Sequence, residues 1–106
     1  MNTPTVSFDL GQVLFSAMVN HSITTDSTFS QFVMNSLSRH KTGDWGEIVS
    51  DDKILNNEAL ITGGRVFSSY TLSIPSISSD KVWIITEGID LDGDRRSTTI
   101  LFPSEY

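Results

Sequence analysis

Three stretches of the chain carry side chains that can do chemistry at short spacing. In His40-Lys41-Thr42-Gly43-Asp44-Trp45-Gly46 an imidazole precedes a glycine-flanked Asp-Trp pair. An imidazole works as a general base near neutral pH, and a carboxylate such as Asp44 can orient it. The same residues also read as a capping turn in which Trp45 plugs the core. In Gly63-Gly64-Arg65, with Ser68-Ser69-Tyr70 following, a guanidinium offers a fork of donors suited to phosphate or carboxylate. The plainer alternative is a surface arginine paired with one of many acids. The third stretch, Thr86-Glu87 through Asp94-Arg95-Arg96-Ser97, holds Asp90, Asp92 and Asp94 at the spacing of a calcium loop. An EF-hand counted from Asp90 then needs glycine in sixth place and glutamate in twelfth, where this chain has Arg95 and Leu101. The segment therefore reads as a polar hairpin loop with at most weak affinity for a divalent ion, and with Asp94-Arg95 able to pair with Glu87 across its base.

Other chemistries find no support. There is no Walker loop, no GxGxxG, no HExxH and no GxSxG, so no cofactor is implied. With no cysteine and only His21 beside His40, neither a thiolate zinc site nor a three-histidine site can form, and no metal is expected. Seven basic residues face thirteen acidic ones, a net charge of −6. Nucleic-acid binding runs on neutralisation of phosphates by Lys and Arg, so that partner is disfavoured. Negative charge favours solubility and steers a protein toward basic partners. No run approaches the roughly 18 apolar residues of a membrane span, and Met1-Asn2-Thr3-Pro4-Thr5 lacks the basic and apolar regions of a secretion signal. No membrane partner and a cytoplasmic location are the expectation.

The candidate residues must be positioned by a chain of 106 residues, 38% apolar, which sets the expectation of one domain over 1–106. Val6 to Leu10 alternates and predicts a short strand; Val13 to Val19, ambiguous in period, leans toward a short helix. Thr24 to Ser27 supplies N-cap chemistry for a helix over about 26–40 with a stripe of Phe29, Phe32, Val33 and Leu37. Ser50 opens a second cap signal, and the helix it starts ends near 62 at Gly63-Gly64. Val66 to Ile74, Val82 to Glu87 and Ser97 to Phe102 predict three strands joined as an antiparallel meander, the second nearly continuous in apolar residues and so central. The expected fold is α+β: an antiparallel sheet of three or four strands with two or three helices packed on one face. The polar strand residues, Ser69, Thr71, Thr86 and Thr98 or their alternates, would be solvated or form a site; a one-residue slip in register reverses the choice.

Taken in order, His40–Gly46, Asp52-Lys53 with Asn56 and Asn57, Gly63–Arg65 with Ser68–Tyr70, Trp83–Glu87, Asp94-Arg95, Thr98–Leu101 and Pro103–Tyr106 resemble a family of small, functionally uncharacterised bacterial proteins of plasmids, phages and other mobile elements, of the "plasmid-related protein" type. The resemblance covers about residues 37–106 and rests on the ordered set rather than on any one motif. This chain departs from the pattern at Gly88–Gly93, which reads as an insertion that carries the extra aspartates and separates Glu87 from Asp94-Arg95. The family brings no activity to transfer; it implies a bacterial, mobile-DNA context. Three readings follow. The first is an acidic binding or regulatory protein acting on a host or mobile-element protein, such as a defence, restriction or nucleic-acid-processing component. The second is a small metal-independent nuclease or hydrolase using His40, Arg65 and Arg95, with Glu87, Tyr70 or Thr98 assisting, which requires those side chains to converge in one cleft. The third is a non-catalytic structural module in which they are scattered and internally satisfied. Asp44, Trp45, Tyr70 and Thr98 are the candidate binding residues beside the catalytic candidates.

Overall fold

The computed structural model describes residues 8–106. In chain order the elements are β1 (Gln12–Phe15), α1 (Ala17–Thr25), α2 (Ser27–Lys41), α3 (Ser50–Thr62), β2 (Val66–Thr71), β3 (Lys81–Thr86) and β4 (Ser97–Leu101), closed by a single 3-10 turn at Pro103–Glu105. The fold is α+β, with four strands in the order β1-β4-β3-β2.

Local chemistry explains most of these boundaries. The Asp26 carboxylate accepts the Phe29 amide at 2.9 Å and caps α2. Arg39, His40 and Lys41 end that helix where cations suit the dipole. The end of α3 is a left-handed glycine, Gly63 at φ 85°, whose amide returns to the Ala59 carbonyl. Its start differs from expectation: Val49 is the cap residue and makes no side-chain cap, while Ser50 already lies inside the helix.

The N-terminal region and the sheet correct two expectations. The strand expected over Val6–Leu10 lies partly outside the described residues, and residues 8–10 belong to no strand. The segment Val13–Val19, read as a short helix, divides instead. Its first part is β1, and Ser16, whose side chain accepts the Val19 amide, starts α1. The sheet is consequently mixed rather than purely antiparallel. β2, β3 and β4 form the expected meander, but β1 runs parallel to β4, with Gln12 opposite Ser97 and Phe15 opposite Ile100. The helical layer carries the chain from β1 across the sheet to β2 at the opposite edge, and the meander then returns through β3 to β4 beside β1. The strands of the meander are also shorter than expected at their ends, β2 stopping at Thr71 and β4 at Leu101.

One sheet face carries the core. Val19 of α1 and Phe29 and Val33 of α2 pack on Tyr70, Val82, Ile84 and Ile100, with Leu72 and Phe102 just beyond the strand ends. A smaller cluster of Trp45, Ala59 and Val66 joins α3 to the β2 end. β2 is a sheet edge, yet that edge is not bare. The 45–47 segment pairs with it, Ser69 donating to the Trp45 carbonyl and Glu47 to the Ser69 carbonyl, and Asn56 of α3 bonds both the amide and the carbonyl of Phe67.

Candidate functional site

His40 occupies the centre of the polar part of the core. It is fully buried, on the last turn of α2, with Nδ1 2.5 Å from Ser68 Oγ and Nε2 2.8 Å from Thr86 Oγ1. Thr86 Oγ1 lies 2.7 Å from Thr98 Oγ1, which donates to the Leu10 carbonyl at 2.7 Å. A carbonyl can only accept, so the chain of donors has one direction. Thr98 gives its proton to Leu10, Thr86 gives its own to Thr98, and Thr86 must therefore accept Nε2–H. Nδ1 is left as the acceptor of the Ser68 hydroxyl. The network assigns the Nε2–H tautomer of a neutral imidazole. Burial, and secondarily the nearby Arg95 charge, depress the His40 pKa to about 3. Phe8 and Trp45 stand edge-on to the ring at 5.3 and 5.6 Å. Neither ring nitrogen is open to a substrate.

Asp44 does not orient His40. It takes the Arg39 guanidinium in a two-point pair at 2.7 and 3.1 Å, which holds its carboxyl below the usual range. Its backbone carbonyl accepts the buried Tyr70 hydroxyl at 2.7 Å. Trp45 is buried, and its indole N–H donates to Asn57 at 3.0 Å. Gly46 follows at φ 72°, where a Cβ would sit 2.0 Å from the Ser69 carbonyl oxygen, so glycine is required for the loop to lie against β2.

Arg95 is buried without a carboxylate partner among the described residues. It donates to three carbonyls: Gly64 at 2.6 Å, Glu87 at 3.0 Å and Ala59 at 3.1 Å. These include the last turn of α3, where the helix dipole favours a cation. Arg95 thus ties the end of α3 to the β3 end, and burial lowers its pKa. The contact to Glu87 is to its backbone; the ion pair expected between Glu87 and Asp94-Arg95 is not formed. Asp90 is likewise consumed internally, accepting the Asp92 and Asp94 amides and the Arg96 guanidinium. No group of three potential metal ligands exists among the described residues.

Arg65 is elsewhere. Alternation along β2 puts Ser68 on the helix-covered face with His40 and puts Arg65 and Phe67 on the other. The nuclease reading needs His40, Arg65 and Arg95 in one cleft. The structure brings His40, Trp45 and Arg95 together around Phe8 and leaves Arg65 across the sheet.

That second face holds what sequence reasoning missed. Phe67, Trp83 and Ile85, with Tyr106 from the C-terminal turn and Arg65 at the rim, line a cavity of about 350 Å³. The Trp83 ring meets Phe67 at 5.2 Å and Tyr106 at 5.7 Å, both edge-to-face. Arg65 stands over the Tyr106 ring at 5.8 Å, with Nε 3.9 Å from a Glu87 carboxylate oxygen. A wider depression of about 620 Å³ beside α2, lined by Ser27, Gln31, Asn35, Leu72 and Ile74 among others, contains no charged side chain. The clue to the aromatic face lay in Val82–Thr86: a strand apolar at every position but its last has apolar residues on both faces. Among the described residues no helix is long and apolar enough to cross a membrane. No family model, curated protein or solved structure matches this chain.

Proposed function

We propose that this protein is a small acidic binding or regulatory protein without catalytic chemistry, which engages a partner protein through the face of the sheet opposite its helices. The observation that carries this reading is the aromatic surface of Phe67, Trp83 and Tyr106 on a sheet face over which no described helix packs. Aromatic side chains are enriched at protein interfaces, where each contributes a large contact area at low conformational cost. The net charge of −6 favours a basic partner. The residues that argued for hydrolysis serve the fold in this reading: His40 and Arg95 are internally satisfied, and Asp44 holds Arg39. The resemblance to mobile-element proteins supports looking for the partner among host proteins or those encoded beside this one.

The test is a photo-crosslinking amino acid at Phe67 of the full chain, compared with the same group at Asn35 on the exposed side of α2, in a bacterial lysate. A discrete crosslinked species at position 67, absent at 35 and lost on adding Trp83→Ala, is expected. Equal crosslinking at both positions would remove the sheet face from the proposal. In parallel, an amide titration with short RNA, single-stranded DNA and nucleotides at low salt should be flat around His40; localised shifts there with turnover would restore the nuclease.

A further inference from the structure

The chain has four arginines, and three are committed at hydrogen-bond distance. Arg39 is paired to Asp44 at 2.7 Å, Arg96 to Asp90 at 2.6 Å, and Arg95 to three carbonyls between 2.6 and 3.1 Å. Arg65 is held more loosely. Among the described residues it reaches the exposed Tyr106 hydroxyl at 3.4 Å and the half-exposed Glu87 carboxylate at 3.9 Å. A pair this long and this wet is weak. Most of the guanidinium's five N–H donors therefore make no hydrogen bond among the described residues.

Beneath this cation the walls change character at once. Phe67, Trp83 and Tyr106 are perpendicular neighbours, and Ile85, nearly buried at 5% exposure, forms the floor. An apolar cup of about 350 Å³ with one convergent charged group falls at the small end of ordinary ligand sites, where apolar walls supply affinity and a few polar groups fix orientation. The volume suits one ring on a short chain.

We infer that this cup binds a carboxylate carried on an aromatic or branched apolar body, the Arg65 fork taking the carboxylate and Phe67, Trp83 and Ile85 enclosing the body. A planar carboxylate matches a single guanidinium in two parallel hydrogen bonds. A phosphate dianion fits less well: one cation would have to hold it on a molecule of net charge −6. The ligand displaces Glu87 from Arg65, and the solvated Glu87 side chain is free to turn away. The long-range repulsion of the acidic surface is screened beyond about 8 Å at physiological salt. This inference rests on the proposal that the open face is the binding face, and it names the chemical anchor there. Such a group comes either from a free organic acid or from the C-terminus of a partner chain ending in an apolar residue.

The experiment is an NMR titration of the full chain following the Trp83 indole N–H, with 4-phenylbutyrate, its primary amide, and the acetylated peptide Gly-Ser-Leu-Phe as free acid and as C-terminal amide. The acids are expected to shift Trp83 and its neighbours and leave Trp45 unmoved. The amides should bind about tenfold more weakly, the loss associated with one charge-assisted hydrogen bond. Arg65→Gln should remove that acid-over-amide preference and Arg65→Lys should restore part of it, with unchanged shifts in the helical layer as the control on folding. Tighter binding of phenylbutyrate indicates a free acid as the natural ligand; tighter binding of the peptide acid indicates a chain terminus. Equal binding of acids and amides, a preference that survives Arg65→Gln, or no shift at millimolar concentration overturns the carboxylate site. Crosslinking at Phe67 reads the binding face separately, so a failure here with crosslinking intact removes only the ligand class.

Discussion

His40 shows how a side chain chosen by chemistry for one role is spent on another. Its imidazole ends a helix against the sheet, and the Ser68 and Thr86 hydroxyls take both of its ring nitrogens, Thr86 being held in turn by Thr98 and Thr98 by the Leu10 carbonyl. The same burial makes it a stability element with a defined pH dependence. The ordinary value is 6.5 and the folded value about 3, so the unfolded chain takes up a proton that the fold refuses. The contribution is complete above pH 6.5, declines as pH falls, and is lost through the folded value near 3. Each pH unit in that window costs about 1.4 kcal/mol. Denaturant midpoints should therefore fall for the wild type between pH 6.5 and 4.5, before most carboxylates titrate, and His40→Gln, though less stable at pH 7, should show a flatter line. Parallel lines would mean that His40 is not excluded from protonation. Arg95 is the second such residue. Arg95→Leu strips three carbonyls of a charged donor and should cost about 3 kcal/mol, measured by urea unfolding. A change below 1 kcal/mol would mean that water replaces the guanidinium at about equal energy.

At the level of elements, the edge of β2 is managed by side chains and loop together. Asn56 imitates a strand residue by giving its amide N–H to the Phe67 carbonyl at 2.6 Å and accepting the Phe67 N–H at 3.1 Å. The Trp45–Glu47 segment continues the cover along Ser69. Asn56→Leu leaves two backbone groups unpaired and should cost about 2 kcal/mol, with faster amide exchange at Phe67 as the local signature and a greater tendency to aggregate. Gly46→Val should be at least as damaging, since it forces a β-branched residue to positive φ with its Cβ against the Ser69 carbonyl. If Gly46→Val instead left the melting temperature unchanged, the loop would not be held against β2. The same devices account for Asp44-Trp45-Gly46, which lie against β2, the Asp44 carbonyl taking the Tyr70 hydroxyl and the Trp45 carbonyl the Ser69 amide.

Across the whole molecule the sheet has two unlike faces. Ile84 and Trp83 are neighbours in sequence but lie on opposite sides, Ile84 fully buried under α2 and Trp83 half-buried in the open cup. Ile84→Ala should cost about 3 kcal/mol through lost burial and the cavity left behind. Trp83→Ala should cost less in stability and more in binding. Urea unfolding of the two variants gives the comparison; a larger loss at Trp83 would mean that the open face is itself a core. An internal hydroxyl cluster on the covered face and aromatic rings on the uncovered one reverse the usual distribution at this end of the sheet.

What the sequence determined by itself is what acts over a few residues. The Asp26 cap, the stripe of α2, the glycine stop of α3 and the three β-rich runs are set by local hydrogen bonds and periodicity, and they were legible for that reason. The tertiary structure alone decided which faces those elements show. Hydroxyl residues on Ser68, Thr86 and Thr98 look solvent-directed in isolation; they point inward because His40, 46 residues before Thr86, arrives to pair with them. β1 becomes a strand through its parallel neighbour Ser97–Ile100 at the far end of the chain, so no local period could have announced it. Arg95 and Arg65, alike in type and both beside glycine-containing turns, diverge for the same reason: Arg95 meets the end of a helix and is buried, and Arg65 meets the Tyr106 ring at the edge of the aromatic cup and stays half-exposed.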